Sequence, residues 1–314
     1  MVVARIVVIG GGPAGYEAAL VAAQLDAEVT VIEADGAGGA CVLSDCVPSK
    51  AFIASSDVVT GYRDTERFGV DAGGLDAVTV HATAVYDRVK RLALAQSADI
   101  QTKLIKSGVT FIHGHARMGA ATLGHTHTVD VTPADGSAPM TVEATAVLLA
   151  TGATPRLLPD AMPDGERILT WRQIYDLDTL PEHLIVIGSG VTGAEFASAY
   201  LAMGVAVTLV SSRERVMPHE DPDAARAIER VFSDRGMTIL GRSRADAVRR
   251  TDDGVVVELA DGRTVTGSHV LMAVGSVPNT EGLGLAEYGV NVGDGSARTA
   301  CRCGIRTGST PSVD

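Results

Sequence analysis

The sequence predicts an α/β protein with two units, each built on a mostly parallel sheet, and three observations support this prediction. The chain has 314 residues, of which 46% are hydrophobic, so it is long enough for two domains with substantial cores. A β-branched run, Arg5–Ile9, leads directly into a glycine-rich turn and an alanine-rich helix. The same order of strand, glycine turn and helix recurs at residues 184–195.

The first glycine-rich turn has the residue pattern of a dinucleotide-binding site. Gly10 permits the tight turn, Gly12 lets backbone N–H groups approach a pyrophosphate, and Gly15 lets the helix pack closely on the strand. A second strand, at residues 28–32, ends at Glu33, where a carboxylate can accept hydrogen bonds from a ribose. Because all these parts occur in order, we predict dinucleotide binding rather than an ordinary glycine turn. The predicted contacts in the turn are Gly10, Gly12, Pro13, Ala14 and Gly15.

Two cysteines lie close together in the segment that follows. Cys41 and Cys46 are two of only four cysteines in the chain. Five steps along a tight turn that enters a helix can bring the two sulfurs together, because a disulfide needs Cα atoms about 4.4–6.8 Å apart. Pro48 suits the first turn of a helix, and a helix N-terminus favours a nearby thiolate. A reversible dithiol/disulfide pair is therefore reasonable, although spacing alone leaves two inert, buried cysteines as an alternative.

The segment up to residue 153 is predicted to contain further helices and strands. Its long helix has apolar residues at helical spacing, which is typical of a core-facing scaffold helix. Its last strand is buried and parallel, and ends in a small-residue turn that includes Thr151 and Gly152. The predicted elements are helices at residues 51–60 and 79–107, a loop at 62–78, strands at 109–113 and 147–153, and a small antiparallel insertion at 129–132 and 141–143.

The second glycine turn opens the second unit. Its predicted nucleotide contacts are Gly188, Gly190, Val191 and Gly193, followed on the helix by Glu195. The next strand, at residues 206–210, ends in Ser211 and Arg213. That position has no carboxylate to hold a free 2′-hydroxyl, whereas the arginine can meet a 2′-phosphate. A helix at 224–235, a hairpin at 255–266 and a strand at 270–274 lead to Gly275, another predicted contact.

The composition excludes several classes of partner. With 26 basic and 38 acidic residues, a net charge of −12 and no basic run, the chain is not expected to bind nucleic acid or an anionic membrane. Aromatic residues are only 4%, which removes platforms for base stacking. No apolar run approaches the roughly 18 residues of a membrane span. With few cysteines and no signal peptide at the start, we expect a cytoplasmic protein with a small-molecule substrate.

Four histidines and the last two cysteines are candidate metal ligands. The histidines lie on short strands and turns without a paired acid or cysteine, and the Cys-x-Cys near the end has no companion ligands. We therefore predict no metal site at His113, His115, His125 and His127, or at Cys301 and Cys303.

The cysteine segment resembles a known family. The pattern G-G-x-C-x-x-x-x-C-x-P-S-K, which includes Gly39 and Ala40, resembles the redox-active signature of the flavoprotein disulfide reductases, among them lipoamide dehydrogenase, glutathione reductase and mercuric reductase. The resemblance implies FAD in the first unit and NAD(P)H in the second. It implies that Cys46 is the charge-transfer thiolate beside the flavin and that Cys41 exchanges with a disulfide substrate. Lys50 and Glu195 match residues that pair beside the flavin.

The resemblance also implies a domain order. Residues 1–154 would be the first part of the FAD-binding domain, 155–275 an inserted NAD(P)H-binding domain, and 276–314 the return to the FAD domain. From about Asp294 the sequence departs from the family pattern, which we expect to reflect truncation, and a frameshift there would explain it. Family members are homodimers whose interface domain supplies a His-Glu acid/base pair. We expect that domain to be missing and this chain not to form a proper dimer.

The segments CVPSK, ILTWRQIYDL and GSVPNTEGLGL resemble most the lipoamide-dehydrogenase-like NAD(P)H quinone reductases of actinobacteria. Mycobacterial members of that group lack the first redox cysteine, so Cys41 is a departure that keeps disulfide reduction open. Gly193 resembles NADH-using members, whereas Arg213 favours NADPH, and we expect dual use. The expected function is hydride transfer from NAD(P)H through FAD to a quinone or a disulfide such as lipoamide. The alternative is a non-catalytic remnant that only binds nucleotide.

Overall fold

A computed structural model describes residues 3–71, 73, 78–119, 126–293 and the backbone of 296–298. Two compact units make up the chain. Unit 1 contains Met1–Leu43, Ala93–Thr154 and Val277–Val313, and unit 2 contains Ser44–Leu92 and Pro155–Ser276. His125, Cys301, Cys303 and the proposed frameshift position all lie outside the described residues.

Helices and short strands alternate along most of the chain. The helices are α1 (Pro13–Gln24), α2 (Gly39–Leu43), α3 (Cys46–Arg63), α4 (Ala82–Lys106), α5 (Val191–Ala202) and α6 (Pro222–Asp234). The strands are β1 (Arg5–Ile9), β2 (Glu28–Glu33), β3 (Thr110–Met118), β4 (His127–Pro133), β5 (Met140–Ala144), β6 (Ala146–Leu149), β7 (Ala153–Pro155), β8 (Ile168–Thr170), β9 (His183–Ile187), β10 (Ala206–Val210), β11 (Thr238–Leu240), β12 (Ala245–Arg250), β13 (Val255–Leu259), β14 (Thr264–Gly267), β15 (His269–Met272), β16 (Ser276–Pro278), β17 (Asn291–Gly293) and β18 (Ser296–Arg298).

The sheet of unit 1 has the strand order β5-β4-β3-β2-β1-β6. Strand β1 lies in parallel between β2 and β6, with Val7 opposite Thr30 and Val147. Because parallel strands end at the same edge, the glycine turn after β1, the end of β2 and the turn after β6 meet there. Strands β4 and β5 pair antiparallel beside β3 and extend this sheet, so the predicted small insertion is a continuation of the sheet.

Unit 2 contains a parallel sheet with the strand order β11-β10-β9-β15-β8 and a separate antiparallel sheet, β12-β13-β14. Buried aliphatic side chains of both sheets share one core, which includes Ile185, Ile187, Val210, Val257 and Val270. The glycine turn after β9 lies at the carboxyl edge of the parallel sheet, beside the end of β10. This is the edge at which parallel α/β sheets bind ligands.

The segment Ser44–Leu92, which was predicted to lie in the first domain, clusters with unit 2. Helix α3 is also longer than predicted and is followed directly by a 3-10 helix, Asp64–Phe68, where a loop was expected. The contacts of Ser44–Leu92 with the rest of unit 2 include an aromatic cluster, in which the buried ring of Phe52 on α3 lies 4.8–6.3 Å, centroid to centroid, from four other rings. We call this the aromatic cluster: Phe52, Tyr86, Tyr175, Phe196 and Tyr200.

Within the described part of the chain, no helix combines the length and apolar character needed to cross a membrane.

The aromatic cluster predicts a specific loss of stability in alkali. The hydroxyls of Tyr86 and Tyr200 are 2.9 Å apart, and burial raises the pKa of Tyr86 to about 12, although its hydrogen bond to Tyr200 opposes the rise. Burial also raises the pKa of Tyr200. Because the unfolded value is 10.0, the neutral Tyr86 phenol stabilises the fold below about pH 10, and this contribution is lost as the pH rises towards about 12.

Denaturant unfolding between pH 9 and pH 12 should therefore show a steeper loss of stability for the parent protein than for Tyr86→Phe. The expected difference is about 2 kcal/mol, because one pKa unit corresponds to about 1.4 kcal/mol. Phe196→Leu is the matched control, since it disturbs the same cluster without changing an ionisable group. Parallel pH profiles for Tyr86→Phe and the parent would contradict the prediction.

Candidate functional site

The glycine turn after β1 has two positions where only glycine fits. Gly10 has φ +103°, and a Cβ there would lie 2.2 Å from the carbonyl oxygen of Ala150. A Cβ on Gly15 would lie 1.9 Å from the carbonyl oxygen of Gly10. At Gly12, in contrast, the closest atom to a Cβ would be the carbonyl oxygen of Gly38, at 3.9 Å. Space therefore remains open beside the middle glycine, where the sequence predicted a pyrophosphate.

Helix α1 begins with its first turn open to an anion. Gly12 is the N-cap residue and Pro13 the first helical residue, and no described side chain caps this end. Helix α6 shows the alternative, since the Asp221 carboxylate accepts hydrogen bonds from the backbone N–H groups of Asp223 and Ala224. Uncapped N–H groups and the helix dipole favour a negative group, which a dinucleotide pyrophosphate supplies.

Glu33 stands at the end of β2, as predicted, and is buried. Its Oε2 accepts a hydrogen bond from the N–H of Gly11, in the glycine turn, at 2.5 Å. Its Oε1 accepts from the N–H groups of Asp35 at 2.8 Å and Gly36 at 3.4 Å. A carboxylate has about four acceptor positions, so these three bonds fix its orientation and leave one acceptor for a ligand hydroxyl.

The segment before Cys41 contacts the same glycine turn. The N–H of Gly38 donates to the carbonyl oxygen of Gly11 at 2.8 Å. Gly39 has φ +55°, and a Cβ there would lie 3.1 Å from the Cα of Gly12. Ala40 and Cys41 follow in the short helix α2, and Cys41 is half-buried. The structure thus brings this part of the cysteine segment to the edge that carries the first turn.

The turn after β6 is held by a residue that the sequence analysis missed. The Asn279 side chain donates to the carbonyl oxygen of Thr151 at 2.9 Å, and its backbone N–H donates to the carbonyl oxygen of Gly152 at 3.0 Å. Gly152 has φ +65°, which favours glycine. Asn279 lies within the segment GSVPNTEGLGL, but its contact across 128 residues has no local sequence signal.

The glycine turn after β9 reproduces the geometry of the first turn. Gly188 has φ +111°, and a Cβ there would lie 2.1 Å from the carbonyl oxygen of Ala273. A Cβ on Gly193 would lie 1.9 Å from the carbonyl oxygen of Gly188. Beside Gly190, no described atom lies within 4 Å of such a Cβ. Helix α5 starts at the half-exposed Val191, and no described side chain caps it, so this turn also leaves room for an anion.

Lys50 and Glu195 form the predicted ion pair, which joins α3 to α5 within unit 2. The Lys50 Nζ lies 2.7 and 2.8 Å from the two carboxylate oxygens of Glu195. Burial disfavours the charged ammonium, but the hydrogen bond and charge of Glu195 outweigh it and raise the pKa of Lys50. The Lys50 side chain is 58% exposed and that of Glu195 25%, so the pair holds a charge in place more than it stabilises the fold.

Ser49 is a second residue that the sequence analysis missed. It is buried, and its Oγ lies 3.3 Å from both the Cys46 carbonyl oxygen and the Glu195 Oε2. The Lys50 Nζ donates to the same Oγ at 3.4 Å. The hydroxyl therefore fixes the carboxylate of the ion pair, and its position next to Lys50 in the sequence was the available signal.

Cys46 is the first residue of α3 and is exposed. The preceding residue, Asp45, has its pKa raised by burial, while Lys50 lowers it and Glu195 raises it further.

The loop after β10 differs from expectation in one respect. Ser211 is only 1% exposed, and its Oγ lies 2.6 Å from that of Ser189 and accepts from the Arg213 N–H at 3.0 Å. Its side chain therefore supports the loop from inside, while Ser212 and Arg213 are exposed. At the end of β15, Gly275 has φ +92° and open space where a Cβ would stand.

Two of the four histidines considered as metal ligands make ordinary hydrogen bonds. His113 Nε2 lies 2.7 Å from the Ala34 carbonyl oxygen, and His127 Nδ1 lies 2.9 Å from the Tyr288 hydroxyl. Among the described residues, no group of three His, Cys, Asp or Glu side chains is arranged to hold a metal ion.

Comparison with known proteins gives consistent matches. Residues 4–307 match the family model described as "Pyridine nucleotide-disulphide oxidoreductase". The chain is 54% identical over 304 residues to a Mycobacterium tuberculosis protein named NAD(P)H dehydrogenase (quinone), with 96% of this chain and 61% of that protein covered. It is 34% identical to a dihydrolipoyl dehydrogenase of Chlorobaculum tepidum, with 95% and 62% covered. The chain thus spans about three fifths of the length of these curated relatives.

Solved structures confirm the predicted fold class. The crystal structure of LpdA from Mycobacterium tuberculosis superimposes with a TM-score of 0.88 at 54% identity, over 93% of this chain and 63% of that one. RclA from Escherichia coli, an HOCl-induced flavoprotein disulfide reductase, gives a TM-score of 0.76 at 21% identity, over 93% and 61%. The second likeness concerns the fold alone.

Substitution by alanine should have different effects at two glycines of the second turn. In Gly190→Ala the methyl group enters open space, so the free energy of unfolding should change by less than about 1 kcal/mol. The affinity for a dinucleotide should fall at least about tenfold, because the methyl group occupies the space proposed for the pyrophosphate. In Gly193→Ala the methyl group meets backbone, so α5 must shift and stability should fall by about 1–3 kcal/mol.

Denaturant unfolding and titration with NADH and NADPH measure the two effects separately. Gly61→Ala serves as a control for glycine replacement, because its surroundings are open, its φ is not positive and it lies on α3, outside the turn. Unchanged nucleotide affinity in Gly190→Ala would show that no pyrophosphate lies beside that glycine.

Proposed function

The chain belongs to the pyridine nucleotide-disulphide oxidoreductase family, as the cysteine motif predicted, and we propose that it is the nucleotide-binding and redox part of a flavoenzyme. In this proposal FAD binds to unit 1, NAD(P)H binds to unit 2, and electrons pass to a quinone or a disulfide. The observation that carries the proposal is the duplicated glycine turn. Each unit has an uncapped helix N-terminus and open space beside the middle glycine.

The residues at each turn fit the group proposed for it. When bound, the two cofactors supply hydride transfer, which side chains alone do not provide. In unit 1 the residues proposed to hold FAD are Gly10, Gly12, Pro13, Ala14, Gly15, Glu33, Gly39, Ala40, Thr151 and Gly152. In unit 2 those proposed to hold NAD(P)H are Gly188, Gly190, Val191, Gly193, Arg213 and Gly275, with Ser211 in support behind Arg213.

Lys50 and Glu195 are proposed to hold one positive charge beside the redox centre. The raised pKa of Lys50 keeps its ammonium charged at neutral pH. The two contacts to Glu195 and the contact to Ser49 leave the ammonium little freedom to turn. A charge that is fixed before the reaction stabilises negative charge that develops during electron transfer.

Cys41 and Cys46 are proposed to act when the acceptor is a disulfide. The Cys41 thiolate attacks one sulfur of the acceptor and displaces the other as a thiolate, which forms a mixed disulfide. Cys46 then attacks the Cys41 sulfur and releases the second acceptor thiolate. The acceptor gains two electrons and, from solvent, two protons, and the cysteines are left as a disulfide. A quinone requires neither sulfur to form a covalent bond.

Two observations favour different acceptors. The relative at 54% identity is named for a quinone, which supports quinone reduction. The presence of both cysteines and the relatives named dihydrolipoyl dehydrogenase support reduction of a disulfide such as lipoamide. The lack of a proper dimer and a cytoplasmic location remain predictions from the sequence.

The proposal is tested first by binding. Purified protein titrated with FAD and, separately, with NADH or NADPH should bind one of each per chain, and each ligand should raise the unfolding temperature. Assays with a quinone and with lipoamide then identify the acceptor. Failure to bind FAD and either nicotinamide nucleotide would overturn the proposed function.

Serine substitutions distinguish the two acceptors. Cys41→Ser should reduce lipoamide turnover to background, because no thiolate remains to attack it, and should leave quinone turnover within about twofold. Val58→Ser is the matched control, since Val58 is 73% exposed on α3 and lies outside the motif. Lipoamide turnover that survives in Cys41→Ser would exclude the proposed exchange role of this cysteine.

A further inference from the structure

Two short loops in unit 2 concentrate positive charge at the carboxyl edge of the parallel sheet. One loop follows β10 and the other follows β11, and β10 and β11 are paired neighbours. Together the loops at residues 211–215 and 241–244 contain four arginines and a single acid, in a chain whose net charge is −12. The arginines are Arg213, Arg215, Arg242 and Arg244, and the acid is Glu214.

The two loops are in direct backbone contact. The N–H of Arg242 donates to the carbonyl oxygen of Arg213 at 2.8 Å. A Cβ on Gly241 would lie 2.9 Å from the carbonyl oxygen of Glu214. The two loops are therefore too close together for a side chain to lie between them. The side chains of Arg213 and Arg242 therefore leave the protein from adjacent points, and both residues are exposed.

Arg242 occupies a strained backbone conformation. Its φ is +53°, in the left-handed region that residues with a Cβ adopt at a cost of about 1–2 kcal/mol. Such strain persists only where the surroundings impose it, and the bond to Arg213 is one such constraint. The conformation sets the direction of the Cα–Cβ bond with which the Arg242 side chain leaves the loop.

Ser189 ties the loop after β10 to the glycine turn. Its Oγ lies 2.6 Å from the Oγ of Ser211, and its carbonyl oxygen accepts from the N–H of Met217 at 2.7 Å. Ser189 directly precedes Gly190, beside which the pyrophosphate is proposed to lie. The backbone of the loop that carries Arg213 is thus held beside the glycine turn before any ligand arrives.

The ion pairs of this region leave Arg213 and Arg242 able to bind an anion. Arg242 pairs with Glu214 at 2.8 Å, but the two side chains are 74% and 66% exposed. Such a pair contributes little and exchanges easily for a stronger anion. Among the described residues, no carboxylate lies within ion-pair distance of Arg213.

We propose that Arg213 and Arg242 together bind the 2′-phosphate of NADPH, which makes Arg242 a specificity-determining residue from a different loop. The inference rests on the proposed NAD(P)H site of unit 2 and extends it. Two guanidinium groups match a dianionic phosphate in charge and in hydrogen-bond geometry. NADH uses the glycine turn without this contact, so the site accepts both nucleotides and prefers NADPH.

The test compares nucleotides with and without the phosphate. Arg242→Asn removes the guanidinium and keeps a residue that tolerates a positive φ. Calorimetric titration should show binding of NADP⁺ weakened about tenfold and binding of NAD⁺ unchanged. The mononucleotides 2′,5′-ADP and 5′-AMP should show the same contrast. Arg249→Ala is the control, since Arg249 is an exposed arginine paired with Glu258 on another sheet.

The possible outcomes separate this inference from the function on which it rests. Binding of NAD⁺ and NADP⁺ with equal affinity, or equal losses for both in Arg242→Asn, would overturn the phosphate clamp and leave the nucleotide site standing. Absence of binding by either nucleotide in the parent protein would overturn both. A steeper salt dependence for NADP⁺ than for NAD⁺, reduced in Arg242→Asn, would support the clamp independently.

Discussion

The close approach of helix and strand at Gly15 and Gly193 is the constraint on which both proposed nucleotide sites depend. At each position a Cβ would lie 1.9 Å from a carbonyl oxygen of its own turn, so only a hydrogen allows the helix to start where it does. Because the helix starts there, its first N–H groups point past the end of the strand, at the sheet edge. The open middle glycine then leaves room for a phosphate against these groups, which is why the helix N-terminus needs no side-chain cap.

The ion pair of Lys50 and Glu195 depends on packing that lies beneath it. A pair with a lysine that is 58% exposed contributes little to stability, so it cannot itself hold α3 against α5. The buried aromatic cluster does so, since Phe52 on α3 contacts Phe196 and Tyr200 on α5. Burial of apolar surface therefore stabilises the packing of α3 on α5. The ion pair contributes little to that packing, and its role is to keep the Lys50 ammonium in one position.

Local patterns predicted the elements that carry the site, and long-range contacts account for what they missed. Strands β1 and β10 have the predicted bounds because alternation and glycine punctuation are local signals. The placement of Ser44–Leu92 with unit 2 depends on ring contacts between distant segments, which periodicity does not encode. The same holds for Asn279 and for the inward orientation of Ser211, whose partner Ser189 is 22 residues away.

The two glycine turns are held in place by different side-chain contacts, and this difference affects which ligand each turn can bind. In unit 1 the Glu33 carboxylate at the end of β2 accepts from Gly11. In unit 2 the corresponding contact joins the hydroxyls of Ser211 and Ser189. A carboxylate at that place accepts from a ribose hydroxyl and repels a phosphate, whereas a neutral hydroxyl does not repel it. The buried Ser211 therefore holds the second turn in place without adding a negative charge. Because no carboxylate repels it there, a 2′-phosphate can be attracted by the nearby arginines.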